Sequence, residues 1–515
     1  MTKERKLKPW QGWLLFGGTL VVVFLLGLLA ASVTERRAET QTLLANRVTE
    51  IAPDEARNPL YEPNYPREYQ TWLQTADTSF SSRYNGSQTV DVLAQRPAMV
   101  IFWAGYAFSR EYGTPRGHMH AIEDMNHSLR TGHPGIDGAE DLQPATCWTC
   151  KSPDVPRMMQ QMGVVKYYAG RWSELGSEVV NPIGCADCHE TEHMTLRISR
   201  PALIEAFARQ GKDITKATHQ EMRSLVCAQC HVEYYFSQAD PNKPNYLTFP
   251  WDKGSRMEDV EAYYDSLQYY DYIHPLSKAP ILKAQHPDFE IAQYGIHAQR
   301  GVSCADCHMP YKSEGGVKFS DHHISSPLQY IDRTCQTCHR ESEETLRQNV
   351  YDRQAMALEV RDNVERELCK AHLEAQFAWN HGATEQQMAP VLQLIRQSQW
   401  RWDYAVATHG GSFHAPQEIT RILSNSLEKA LQARVLIAQI VAQHGHTGPI
   451  PLPDVSTKEK AQAYIGLDMK TLRQQKARFN EQYSHSGSRP LSRTSVSSPP
   501  DNIPRGRAEL VKLDE

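Results

Sequence analysis

No excess of positive charge is available to this chain of 515 residues: 55 lysines and arginines stand against 60 acidic residues, a formal net charge of −5. That balance leaves no basic surface for nucleic acid, so no nucleic-acid partner is expected. Apolar residues make up 40%, ordinary for a soluble protein, and residues 13–33 alone form a long apolar run without a charge. No long helical period precedes Cys147, and strand signals are few. Cysteine outside a Cys-x-x-Cys pair is limited to Cys369, which lies in a helical pattern and reads as a small buried apolar side chain.

The other ten of the 11 cysteines form five pairs. Four are followed by histidine: Cys185/Cys188 with His189, Cys227/Cys230 with His231, Cys304/Cys307 with His308, and Cys335/Cys338 with His339. In Cys-x-x-Cys-His the cysteines form thioethers with haem vinyl groups and the adjacent histidine is held beneath the iron. Zinc sites and redox dithiols also use Cys-x-x-Cys, but repetition with the trailing histidine favours haem. The first pair, Cys147 and Cys150, is followed by Lys151. A lysine amine must lose its proton to bind iron, and its ordinary pKa is about 10.4, so the ferric ion and a buried setting must drive that loss. The bland alternative is a surface lysine beside a decayed site, against which both cysteines are retained. The functional reading is that the Lys151 iron keeps its distal position free for substrate.

Five covalent haems c are therefore expected within a block of about 190 residues, where they must supply much of the core. Four irons need second axial ligands; 17 of the 22 histidines remain once the four motif histidines and His286 are set aside, and spacing does not choose among them. The expected fold is mainly α with little sheet, a haem-packed core followed by long C-terminal helices.

The organisation follows from composition. Residues 1–34 read as a membrane anchor or a signal segment, since Lys3, Arg5, Lys6 and Lys8 precede the apolar run and Leu29-Ala30-Ala31 offers an imperfect cleavage site. Either way the following chain is exported to the periplasm, anchored by residues 13–33 if they are kept. Residues 35–60 read as a linker, 61–340 as the haem-binding catalytic region, 341–480 as long helices and 481–515 as a disordered tail rich in Ser, Pro and Arg. Val360, Val364 and Leu368 mark one helix, which Gly382 can end. Thr384 with Gln387 starts a second, expected to run to about His409, and Pro416 opens a third with Leu423, Leu427, Leu431 and Val435 as an apolar stripe for core or subunit interface.

Over residues 60–475 the chain resembles the pentahaem cytochrome c nitrite reductases that form ammonia. The likeness rests on Cys147-Trp-Thr-Cys-Lys-Ser-Pro-Asp154, Cys230-His-Val-Glu-Tyr-Tyr-Phe236 and Leu282-Lys-Ala-Gln-His-Pro287. It implies six-electron reduction of nitrite to ammonium at the Lys151 haem, with Arg130, Tyr234 and His286 around its open face. Arginine suits an anion, and an imidazole can pass a proton near neutral pH. The resemblance also implies one calcium ion held by the Glu233 and Gln285 side chains and the carbonyls of Tyr234 and Lys283, an oxygen-rich shell for a hard cation. It gives His322 as distal ligand opposite His189, with His323 adjacent in sequence, His118 opposite His231, His414 opposite His308 and His297 opposite His339. A homodimer joined through the long helices is implied, as is a multihaem cytochrome or membrane quinol dehydrogenase as electron donor. Two rival functions are a pure electron-transfer cytochrome and a reductase of another small substrate, hydroxylamine or sulfite.

Overall fold

The computed structural model describes residues 8–45, 47–136, 138–139 and 143–485. The chain is mainly helical. Its sheet among the described residues is limited to three antiparallel pairs: β1 (Tyr235–Ser237) with β2 (Tyr246–Thr248), β3 (Tyr272–Ile273) with β4 (Pro280–Ile281), and β5 (Tyr311–Glu314) with β6 (Val317–Ser320).

Helix α1 (Pro9–Ala45) carries the apolar run, whose stretch Pro9–Glu35 has a mean hydropathy of 2.6 and no buried side chain. Its length and composition suit a bilayer span. Two features differ from a linker at 35–60. The helix continues through Ala45, because residues 35–45 contain neither glycine nor proline to stop it. Then Ala56, Asn58 and Tyr61 are buried against the body. Asn58 accepts the amide of Cys185 at 3.0 Å and donates to the carbonyl of Pro182 at 2.8 Å, so this segment supports a haem motif.

Between residues 61 and 340 the chain winds through short helices and turns, the longest being of the size of α2 (His219–Ala228), which leads into Cys227 and Cys230.

The long helices follow: α3 (Glu343–Asn380), α4 (Glu385–Ala407) and α5 (Pro416–Gln443), with α6 (Met469–His485) returning to the haem region. Ser342 caps α3 by accepting the amide of Thr345 at 3.2 Å, and Gly382 turns the chain out at φ 91°. The Thr384/Gln387 capping box and Pro416 at the start of α5 form as their residues require. The second helix stops at Ala407, two residues before the expected end. The expected α5 stripe turns off the core: four-residue steps advance about 40° each around a helix of 3.6 residues per turn. Leu423 is 2% exposed, Leu431 43% and Val435 58%. The core face instead runs through Ile419, Ile422, Ser426, Ala430, Ala433 and Ile437. Each fully buried isoleucine there contributes about 1.5–3 kcal/mol. Small residues let α4 and α5 approach, and the buried Ser398 and Ser426 hydroxyls donate to each other's backbone carbonyls at 2.8 and 2.6 Å. Cys369 is buried, as expected of a small apolar side chain. Helix α6 covers residues 481–485, and the rest of the expected tail lies outside the described residues.

Candidate functional site

Local chemistry shapes the histidine motifs. In both Cys-Ala-Asp-Cys motifs the aspartate reaches back along its own turn: Asp187 accepts the amide of Gly184 at 2.8 Å and Asp306 that of Ser303 at 2.7 Å. This fixes the short helices Cys185–Cys188 and Cys304–His308. The histidines are then aimed by their Nδ1 atoms: His189 meets the Met194 carbonyl at 2.7 Å, His308 that of Ser325 at 3.0 Å and His322 that of Ser320 at 2.8 Å. His231 faces the Asp288 carboxylate at 3.4 Å. Such bonds leave Nε2 for a metal. None of the eight Nε2 atoms has a hydrogen-bond partner among the described residues.

These histidines meet in pairs at one spacing. His118 and His231, His189 and His322, His308 and His414, and His297 and His339 each have ring centroids 6.2 Å apart. Two metal–nitrogen bonds of about 2 Å plus the half-depths of two imidazoles add up to about 6 Å, so each gap has the width of one iron. His323 turns away and bonds the Tyr330 hydroxyl at 2.9 Å. Burial, and then the partner imidazole, lowers His118 to about 3, His189 to about 4 and His414 to about 4, keeping them in the neutral form that binds metal.

All ten motif cysteines, Lys151 and the eight paired histidines line one continuous cavity of about 2460 Å³. A pocket for a single small ligand is about 300–1000 Å³. Neighbouring motifs touch, with the Cys150 thiol against Cys230 and that of Cys227 against Cys304. The lysine motif therefore adjoins the third motif, which adjoins the fourth. Ten cysteines placed for thioethers, four pairs of imidazoles and a cavity of this size fit haem c.

The lysine motif is held by distant residues. Trp148 is fully buried, stacks on Trp172 at 5.7 Å and donates to its carbonyl at 3.0 Å. Arg200, 1% exposed, donates to the carbonyls of Thr149 at 2.9 Å and Ser152 at 2.7 Å, one on each side of Lys151. Its charge pairs with Asp187 at 2.6 Å, inside the next motif. No histidine is paired with Lys151 among the described residues. His286 and His409 lie within electrostatic reach of its ammonium and stack on each other at 5.7 Å.

Arg130, Tyr234 and His286 line the same cavity as the lysine motif, Arg130 within electrostatic reach of Cys147, Tyr234 of Cys147 and Cys150, and His286 of Lys151. Arg130 sits in a single turn, Leu129–Thr131, with its Nε donating to Ser128 Oγ at 3.1 Å and its guanidinium carbon 4.7 Å above the Phe108 ring. Its two terminal nitrogens have no hydrogen-bond partner among the described residues, which leaves them for an anion. Burial, then the Cys150 and Cys147 sulfurs, holds the Tyr234 hydroxyl well above its usual pKa, so it stays neutral. His286 departs from the expectation of a group titrating near neutrality. Burial, then His409 and Lys151, lowers it well below the usual histidine value, so its resting form is the neutral imidazole.

Glu233 is 0% exposed and accepts from the Tyr264 hydroxyl at 2.9 Å and the Gln285 amide at 2.6 Å. Beside it the buried Glu290 accepts the Glu233 amide at 2.9 Å and keeps one oxygen without a partner. Burial pushes Glu233 well above the usual carboxylate range, Glu290 up to about 8 and Asp271 up to about 6. The nearby ammonium of Lys283 is taken by Asp403 at 2.9 Å. This unbalanced acidity fits a hard cation. No three His, Cys, Asp or Glu side chains converge among the described residues, so backbone and amide oxygens would have to complete the shell of such a cation. The Gln285 amide already lies 3.2 Å from the Lys283 carbonyl, and turning the amide over presents its oxygen there.

His409, Arg200 and Asp288 escaped the sequence reading. His409 was visible only as the residue before a Gly-Gly helix stop, and Arg200 carried no motif at all.

The cytochrome c552 family model matches residues 58–491. Cytochrome c-552 of Porphyromonas gingivalis is 73% identical over 479 residues, covering 93% of this chain and 95% of that protein. The protein of the same name from Aliarcobacter butzleri is 44% identical over 470 residues, covering 90% and 92%. The structure of cytochrome c nitrite reductase from Desulfovibrio desulfuricans, a catalytic subunit with two calcium sites, aligns with a TM-score of 0.73 at 31% identity, covering 82% of this chain and 91% of that one. With its motif cysteines around one cavity, its paired histidines and its mainly helical multihaem cytochrome c fold, this chain belongs to the cytochrome c552 family.

Proposed function

We propose that this protein is a periplasmic nitrite reductase that converts nitrite to ammonium with six electrons and eight protons, releasing two waters. The observation that carries the reading is the asymmetry of the cavity: eight histidines are consumed in four pairs of iron-spanning width, whereas Lys151 has no histidine partner of that kind among the described residues and shares the cavity with Arg130, Tyr234 and His286. Five haems c, attached at the ten cysteines, would supply the electrons and one open iron on Lys151 for the nitrogen of nitrite.

The chain's own residues then do the following. Arg130 attracts and orients the anion through its two free terminal nitrogens. His286, neutral at rest, donates an N–H hydrogen bond to a departing oxygen and passes that proton on as its other ring nitrogen takes one up, help typically worth about 10²–10⁴ in rate. Tyr234, neutral and buried, orients the bound nitrogen species and relays a proton. Arg200 holds the backbone on both sides of Lys151. One calcium ion on Glu233, Gln285 and the carbonyls of Tyr234 and Lys283 would neutralise the buried acids behind Tyr234 and His286.

Electrons arrive from a multihaem cytochrome or a membrane quinol dehydrogenase, with α1 anchoring the enzyme near the membrane. The exposed apolar Leu431 and Val435 on α5 and Met356 on α3 suit a homodimer through the long helices. The reading is tested by ammonium formed per nitrite consumed, with a low-potential chemical reductant as donor. A ratio near one supports it, and no nitrite-dependent oxidation of the reductant overturns it.

A further inference from the structure

We propose that Lys476, on α6, is a positioning residue that holds the turn carrying Arg130 against the packing behind the lysine motif. The proposal rests on the reading of Arg130 as the anion-binding residue.

Helix α6 is strongly polar, yet Lys476 and Phe479 are 3% and 7% exposed. Three residues apart, they share one face of the helix. Lysine is almost never fully buried unless paired. No carboxylate pairs with Lys476 among the described residues. Its ammonium donates instead to Thr131 Oγ1 at 2.8 Å and to the Gly132 carbonyl at 2.9 Å, both at the end of the Arg130 turn. A cation against the closing carbonyls of a helical turn is the favourable arrangement. At the opposite end, Glu111 accepts the amide of Leu129 at 2.6 Å. The turn is thus pinned by an anion at its start and a cation at its close.

The same ammonium lies 5.3 Å from the Trp172 ring and 4.8 Å from that of Phe479, and Phe479 packs on Trp172 at 5.7 Å. Trp172 is the ring on which Trp148 stacks, and Trp148 stands between Cys147 and Cys150. One helix therefore touches both the turn that presents Arg130 and the aromatic pair that backs Lys151. Burial lowers Lys476 to about 7, offset in part by Glu111, so the side chain is held here at an electrostatic cost that a methionine would avoid. Both its charged and neutral forms can donate the two hydrogen bonds.

The test compares full-length Lys476→Met, Lys476→Arg and Arg130→Gln holoenzymes, measuring haem per protein, KM and kcat for nitrite, and hydrogen exchange of residues 129–132. For Lys476→Met we expect full haem content, faster exchange in that turn and a KM raised about tenfold with a smaller change in kcat. Lys476→Arg should recover both exchange protection and most of the KM. Unchanged exchange and KM in Lys476→Met would overturn the proposal. If Lys476→Met loses haem, Thr131→Val, which removes one acceptor, carries the same comparison with a smaller effect. Arg130→Gln separates the two readings. A raised KM there with a normal Lys476→Met refutes only the positioning role, whereas an unchanged KM in Arg130→Gln refutes the anion-binding role on which the positioning depends.

Discussion

The Cys185–His189 and Cys304–His308 motifs and the Cys147–Lys151 motif share two cysteines and a following ligand, yet they are supported in opposite ways. In the histidine motifs the support is local: the aspartate between the cysteines caps its own turn, and carbonyls within a few tens of residues aim the imidazoles. Each ends against a second imidazole 6.2 Å away, a closed arrangement suited to passing electrons without binding anything. The lysine motif has no internal cap. Arg200 fixes its carbonyls from 51 residues away, and its tryptophan leans on Trp172. The same cavity holds Arg130, whose terminal nitrogens have no hydrogen-bond partner among the described residues. The lysine motif has surrendered local self-sufficiency, and its geometry depends on contacts brought in by the whole fold.

If that contrast is right, the two kinds of motif respond differently to damage. The largest effect should come from the attachment machinery: expression without a lyase able to handle the lysine motif should give a four-haem protein inactive on nitrite, read by haem quantification and mass. Lys151→Ala should lower nitrite reduction far more than it lowers haem per protein; loss of the whole haem complement would instead make Lys151 structural. His286→Ala should keep five haems and lower kcat by about 10²–10⁴. An unchanged turnover number would remove His286 from the chemistry. Smaller still is the contrast between neighbours: His322→Ala should perturb one low-spin haem and its reduction potential, while His323→Ala, which loses only a bond to Tyr330, should leave the haem spectra as they were.

Much of this was legible in the chain. The five motifs announced the cofactors because thioether attachment demands fixed spacing, and Gly382, Thr384 and Pro416 marked boundaries of the long helices because they satisfy local backbone geometry. Motif resemblance pointed to Arg130, Tyr234 and His286, which all line the one large cavity. Other features were hidden for a physical reason. Arg200, His409 and Lys476 act through contacts between residues far apart in sequence, for which no local pattern exists. The apparent stripe Leu423 to Val435 misled because repeated four-residue steps drift around a helix. The polar stretch before residue 60 looked like a linker because its anchoring contacts, such as Asn58 to Cys185, 127 residues on, join residues far apart in sequence.

The most direct test is the electronic absorption and paramagnetic resonance spectrum of the fully oxidised protein, recorded with and without nitrite or cyanide. One high-spin haem that changes on anion addition, beside four low-spin haems that do not, is the predicted result. Five low-spin haems, none responding to either anion, would contradict an open iron on Lys151 and with it the proposed reaction.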